Sequence, residues 1–172
     1  DEYTATLQVS LASHVMHYRC LFDGAEQLVN EMAQLLAQTQ GAFLTSIKGI
    51  GIVLAAGVAA EIGDPLVQRS TDQVASYAGI VPKVKQSGGS QGPSITSHVS
   101  KRSNHILKDF IVQSAFHIGR YGPKDLKDDY SRREAAGQHA DFGIARRFIR
   151  MAMCIMRTSQ IYLPPDMRST HI

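Results

Sequence analysis

From Leu7 to Leu35 the apolar positions advance by alternating fours and threes, through Leu7, Leu11, His14, Tyr18, Leu21, Ala25, Leu28, Met32 and Leu35. Eight of these nine positions are apolar or aromatic, and the pattern predicts one helix of roughly 45 Å carrying a coiled-coil seam. The stripe is narrow and opens the chain. That favours an oligomerisation arm over a helix folded onto its own domain. Gly24 weakens the helix by about 1 kcal/mol relative to Ala, and His14 reads as a packed polar residue of the seam. Thr39-Gln40-Gly41 is expected to end it, with Gly41 as a left-handed cap.

The pattern then changes. Phe43–Ile47 meets Lys48-Gly49-Ile50-Gly51, followed by Ile52–Ile62, rich in Ala. This predicts a helix–hairpin–helix. The glycines permit a tight turn, Ile50 plugs the core, and N–H groups at the next helix's start can hold a phosphate beside Lys48. The competing reading is a hairpin that only packs two helices. Gly63-Asp64-Pro65 is a stop, and Ser70 and Gln73 are spaced as a capping box before an apolar face of Val74, Ala75, Tyr77 and Ala78. Ser103 or Asn104 is expected to cap a helix with Ile106, Leu107, Phe110, Ile111, Ser114, Ala115 and Ile118 on one face. Pro123 is expected at the first position of an exposed, polar helix ended by Gly137. Its Asp128-Asp129 pair reads as a solvated face rather than a metal site. The last helix, Ala140 to Ser159, turns Ile144, Phe148, Ile149, Ala152, Ile155 and Met156 inward. Arg146, Arg147, Arg150 and Arg157 form a stripe suited to a nucleic-acid backbone.

The fold class is therefore mainly all-α. Residues 1–40 form a coiled-coil helix, 41–160 a helical domain containing the helix–hairpin–helix, and 161–172 a tail opened by Pro164-Pro165. There is room for at most a short β-ribbon near Val81–Val84 and Ser94–Val99.

Between these helices lies a Gly/Ser-rich stretch without apolar periodicity, Ile80 to Asn104. Connections of this length in compact domains are functional or disordered. It mixes hydroxyls, glycines and cations, and no Asp or Glu occurs from Ile80 to Leu107. Ser87 is followed by Gly88-Gly89, so a phosphate can approach the backbone closely. Lys83, Lys85, Lys101 and Arg102 can neutralise its oxygens. The missing carboxylate argues against a Ser-His-Asp hydrolase and for phosphate binding or phosphoryl transfer. His98 is the local imidazole, and Ser90 a second hydroxyl. Composition alone leaves holding and attacking a phosphate equally open.

Charge adds an asymmetry. Residues 1–80 carry three cations against eight acids, a balance of −5, and the remainder fifteen against seven, or +8. Such a split suggests a nucleic-acid-facing half joined to a half with another role. No apolar run approaches the roughly 18 residues that span a bilayer, and the N-terminus does not read as a signal peptide. Cys20 and Cys154 are expected to be reduced core thiols of a cytoplasmic protein, and no Cys/His cluster has zinc spacing.

Several segments occur in an order that carries more than any one of them. They are Leu44-x-x-Ile47-x-Gly49-Ile50-Gly51, Glu61-Ile62-Gly63-Asp64, Ala75-Ser76-Tyr77-Ala78-Gly79-Ile80-Val81-Pro82, Gln86-Ser87-Gly88-Gly89 and Ser100-Lys101-Arg102-Ser103-Asn104-x-x-Leu107. Together, from Leu44 to about Met156, they resemble the C-terminal half of insertion-sequence-110/116/902 transposases and the related Piv invertases. The resemblance implies a DNA transposase in which Ser87 attacks a DNA phosphate to give a phosphoserine link. Gly88 and Gly89 fall on the glycines of that segment, and Lys101 and Asn104 on the polar motif before the next helix. It further implies a separate RuvC-like acidic domain that binds Mg²⁺, a coiled coil that mediates homo-oligomer assembly through residues 7–35, and a structured guide RNA. No cofactor is expected in this chain itself, which reads as a fragment beginning in the coiled coil. The nucleic-acid-binding set expected here is Lys48, Gly49, Gly51, Lys83, Lys85, Gly88, Gly89, Lys101, Arg102, Asn104, Arg146, Arg147 and Arg150. A non-catalytic DNA- or RNA-binding module is the alternative.

Overall fold

A computed structural model describes residues 2–66, 70–80, 83–85, 95–97, 103–165 and 167. The α-helices are α1 (Glu2–Leu36), α2 (Ile52–Ile62), α3 (Thr71–Tyr77), α4 (His105–Tyr121), α5 (Lys124–Ala135) and α6 (Ala140–Thr158), with a 3₁₀ helix at Gln40–Ser46. Two three-residue strands, β1 (Lys83–Lys85) and β2 (Ile95–Ser97), pair antiparallel with Val84 opposite Thr96. The fold is mainly all-α; β2 falls within the stretch expected for it, and β1 runs one residue past Val84.

The helix α1 is continuous, and its seam faces solvent: Leu11 is 66% and Leu21 74% exposed. His14 is also exposed, with Nδ1 2.7 Å from the Ser10 carbonyl oxygen, so it is not packed within this chain. Only the last turn of α1 joins the core, through buried Leu36. Its ending differs from the expectation. Gly41 does not adopt a positive φ. The Thr39 amide and hydroxyl both donate to the Leu36 carbonyl, each at 2.9 Å, tightening the last turn before the 3₁₀ helix. Gly41 serves instead for close packing, since a Cβ there would collide with that of Ala59.

The core is built from one face of each later helix. In α4, Leu107, Ile111, Ser114, Ala115 and Ile118 are buried at three- and four-residue spacing. Ile106 falls off that stripe and is 55% exposed. The residues α6 was expected to turn inward are all buried. A fully buried Phe such as Phe148 contributes about 2–3 kcal/mol over the exposed state. The cysteines do not follow the expectation: both are free and exposed, Cys20 because α1 joins the core only in its last turn and Cys154 because it falls outside the buried stripe of α6.

Helices α2 and α4 form an antiparallel pair. A Cβ on Gly49 would lie 3.0 Å from the His117 carbonyl oxygen, and one on Gly57 would lie 2.5 Å from the Phe110 ring. Asn104 donates to Glu61 at the far end. The small side chains of α2 allow this approach. The pair thus has a hairpin end, at Gly49 and His117, and an Asn104 end, at Glu61.

Helix α5 is polar, yet its Asp129 is buried. Asp129 accepts from Arg132 at 3.1 Å, Arg133 at 3.2 Å and Arg147 at 3.5 Å, and Arg147 also reaches Asp125 at 2.7 Å. The Asp128-Asp129 face is therefore half solvated and half an interface with α6. Pro123 sits one place earlier than expected, at the N-cap rather than inside the helix, and its carbonyl accepts from Leu126 and Lys127. The Tyr130 hydroxyl donates to Asp141 at 2.9 Å. Burial, and then that acceptor, push its pKa up to about 12.

Candidate functional site

The segment singled out by the sequence begins after Ile80 and ends at Ser103, and both of its ends are tied by one residue. Asn104 caps α4, its Oδ1 accepting the Leu107 amide at 3.0 Å. Its own amide N–H donates to the Tyr77 carbonyl at 2.9 Å. Its Nδ2 donates to Glu61 Oε2 at 2.6 Å and to the Tyr77 hydroxyl at 2.9 Å. One side chain thus joins the ends of α2 and α3 to the start of α4, across sequence separations of 43 and 27. An asparagine side chain has two amide hydrogens to give, and both are engaged. In this arrangement Asn104 has no donor left for a phosphate. Its position is that of a clamp at the base of the segment.

Local sequence explains why these groups meet. α3 starts with the expected capping box, Gln73 Oε1 accepting from the Ser70 amide at 2.8 Å and the Ser70 hydroxyl accepting from the Gln73 amide at 3.3 Å. It stops at Ala78, where the Gly79 and Ile80 amides return to the Ser76 and Ala75 carbonyls. Buried Ile80 then anchors the chain as it enters the segment. Ala78 and Ala75 are buried while Tyr77, 39% exposed, turns its hydroxyl to Asn104.

Glu61 is the residue that sequence reasoning passed over. The stretch from Ile80 to Leu107 holds no carboxylate, but α2 brings one to its base. The charge-assisted contact to Asn104 is short, as expected when a carboxylate accepts. The usable signal was the Glu61-Ile62-Gly63-Asp64 motif, which marks a helix end and therefore the place where a polar side chain can face a neighbour.

The other expected residues divide into three groups. Ser87, Gly88, Gly89, Ser90, His98, Lys101 and Arg102 lie outside the described residues. Lys83 and Lys85 lie on β1, facing Ser97 and Ile95 in register. Lys48, Gly49 and Gly51 are described at the other end of the α2–α4 pair. Lys48 is exposed, Gly49 has φ +99, and Gly51 is the N-cap of α2 without a side-chain cap. The turn carries the chain from the 3₁₀ helix into α2, and buried Ile50 plugs it.

The arginine stripe of α6 is split. Arg150 is exposed and Arg146 partly so. Arg147 is engaged by Asp125 and Asp129, and Arg157 Nε donates to the Pro65 carbonyl at 3.0 Å. Arg146 and Arg150 are the members left at the surface. The other two hold α6 to α5 and to the turn after α2.

The residues of the segment, its clamp and the hairpin share one sequence family. Residues 41–131 match the model described as Transposase IS116/IS110/IS902 family. The chain belongs to that family. It is 28% identical, over 163 residues, to the insertion element IS110 uncharacterized 43.6 kDa protein of Streptomyces coelicolor, covering 92% of this chain and 39% of the relative. It is also 33% identical over 72 residues to a probable family 20 transposase of Pseudomonas aeruginosa, covering 42% of this chain and 20% of that protein. The chain thus spans about two-fifths of the length of the first relative. The family match takes in the hairpin, Glu61, Tyr77 and Asn104 but leaves out the whole of α1 and of α6. Among the described residues no helix is long and apolar enough to cross a membrane.

Proposed function

We propose that this chain is the serine-bearing part of a DNA transposase or recombinase, with Ser87 as the nucleophile. In the reaction the Ser87 Oγ forms a bond to a DNA phosphorus as a bond from that phosphorus to a deoxyribose oxygen breaks. The serine proton passes to a base, and the departing sugar oxygen takes up a proton. Gly88 and Gly89 would present amides to the phosphate, while Lys83, Lys85, Lys101 and Arg102 would offset the charge that develops. The observation that carries this reading is the family match over residues 41–131, which takes in Ser87. The Asn104 clamp supports it by tying the base of the segment, and orientation of a nucleophile is worth orders of magnitude in rate.

A metal does not fit the residues in hand. Among the described residues there is no group of three or more His, Cys, Asp or Glu that could hold one, and Asp125 and Asp129 face arginines. The Mg²⁺ that the resemblance implies would be held by carboxylates of a separate acidic domain. The exposed seam of α1 fits a second copy of the same helix, giving a homo-oligomer through residues 7–35. The charge of the chain and its family also fit a structured guide RNA beside the DNA.

Trapping tests the reading. Full-length protein, DNA and RNA should yield a denaturation-resistant protein–DNA adduct that disappears in Ser87→Ala. An adduct that survives Ser87→Ala would move the nucleophile, with Ser90 next in line. An active protein with no adduct would leave a nucleic-acid-holding role for this chain and remove the covalent one.

A further inference from the structure

We propose that the C-terminal end of α4, beside the hairpin, is a stacking surface for an unpaired nucleic-acid strand. The proposal uses residues unrelated to Ser87 and does not require covalent chemistry. In the last two turns of α4, Phe116 is 39% and Tyr121 55% exposed. Between them lies His117, its ring 6.0 Å from Phe116 and edge-on to it, and 6.0 Å from Tyr121. The Arg120 guanidinium sits over Phe116, 4.5 Å from the ring centroid. Three rings and a planar cation thus form a connected row at the surface.

The hairpin belongs to the same surface. Gly49, at φ +99, brings its backbone against the His117 carbonyl, and any side chain there would meet that oxygen at 3.0 Å. Lys48, which precedes Gly49 in the turn, is exposed. Exposed rings beside a guanidinium match a single strand, which offers bases for stacking and phosphates for the cation. A duplex covers its base faces and can use only the cations. The occupant that fits is therefore an unpaired stretch of DNA or RNA.

The test is fluorescence anisotropy of the whole chain with labelled oligothymidylate, oligouridylate and duplex DNA, each about 12 nucleotides long to match one binding site. Single strands should bind better than the duplex, and preference for thymidylate or uridylate reports which nucleic acid is held. Tyr121→Ala should weaken single-strand binding roughly 5- to 100-fold. It should do so without changing the slope of log K against log salt, because stacking releases no counterions. Tyr121→Phe, which keeps the ring, should bind as wild type. Lys48→Ala should flatten the slope by about 0.7. The proposal is overturned if Tyr121→Ala binds as wild type or if only the duplex binds. It also falls if Tyr121 in the full-length protein is shielded from tyrosine modification before any nucleic acid is added, for then the row is a domain interface.

Discussion

The two ends of the α2–α4 pair lie about 16 Å apart along α2, and they treat their polar groups in opposite ways. At the Asn104 end, side chains from three helices satisfy one another, and Asn104 keeps no hydrogen to offer a ligand. At the hairpin end, Lys48, Arg120 and Tyr121 face solvent, and Gly51 starts its helix without a side-chain cap. Polar residues at both ends look alike in the sequence. The first set fixes geometry, and the second is available for contact. Substitutions at the Asn104 end should therefore cost stability and reaction rate together, whereas those at the hairpin end should separate binding from stability.

The largest effect is expected from Asn104→Ala. It removes a cap worth about 1 kcal/mol and leaves Glu61 without its amide partner, for a total of about 2–3 kcal/mol in urea unfolding. Gly49→Ala should follow at about 1–3 kcal/mol, because a residue with a Cβ must hold φ +99 against the His117 carbonyl. A Gly49→Ala protein with unchanged stability would break the link between hairpin and α4. Arg147→Ala should cost about 1 kcal/mol after allowance for the 38% exposure of its side chain. Its neighbour Arg150→Ala should stay within about 0.5 kcal/mol and instead reduce the salt slope of nucleic-acid binding by about 0.9. Equal behaviour of the two arginines would undo the division of the α6 stripe.

A further test concerns pH. Tyr130 keeps its proton to about pH 12 in the folded state, against about 10 when unfolded. A raised pKa on an acidic group stabilises the fold below pH 10, and that contribution fades between pH 10 and 12. Tyr130→Phe should lose the alkaline decline specific to this residue, measured as the difference in melting temperature between the two proteins from pH 9 to 12.

Much of the fold was legible because it rests on periodicity. The buried stripe of α6, the capping box at Ser70 and Gln73, and the N-cap at Asn104 all follow from local spacing. What escaped needed knowledge of neighbours. Gly41 looks like a helix-ending glycine, but it is there because Ala59 presses against it. Asp129 sits on a helix whose sequence is mostly polar, and it is buried because α6 covers it with Arg147. Cys20 and Cys154 are apolar enough for a core, yet α1 stays clear of the core at Cys20 and Cys154 lies outside the buried stripe of α6. At the candidate site the cations and glycines of the central segment were evident. Glu61 was not, since nothing local joins residue 61 to residue 104. That contact exists because small residues let α2 lie close along α4.

The most direct measurement is single-turnover formation of the protein–DNA adduct by full-length protein carrying Asn104→Ala, at a temperature where circular dichroism shows the variant folded. If the clamp positions the serine segment, the adduct should form about 100-fold more slowly than in wild type, a loss typical of a misplacement near 1 Å. Adduct formation at the wild-type rate would contradict the account.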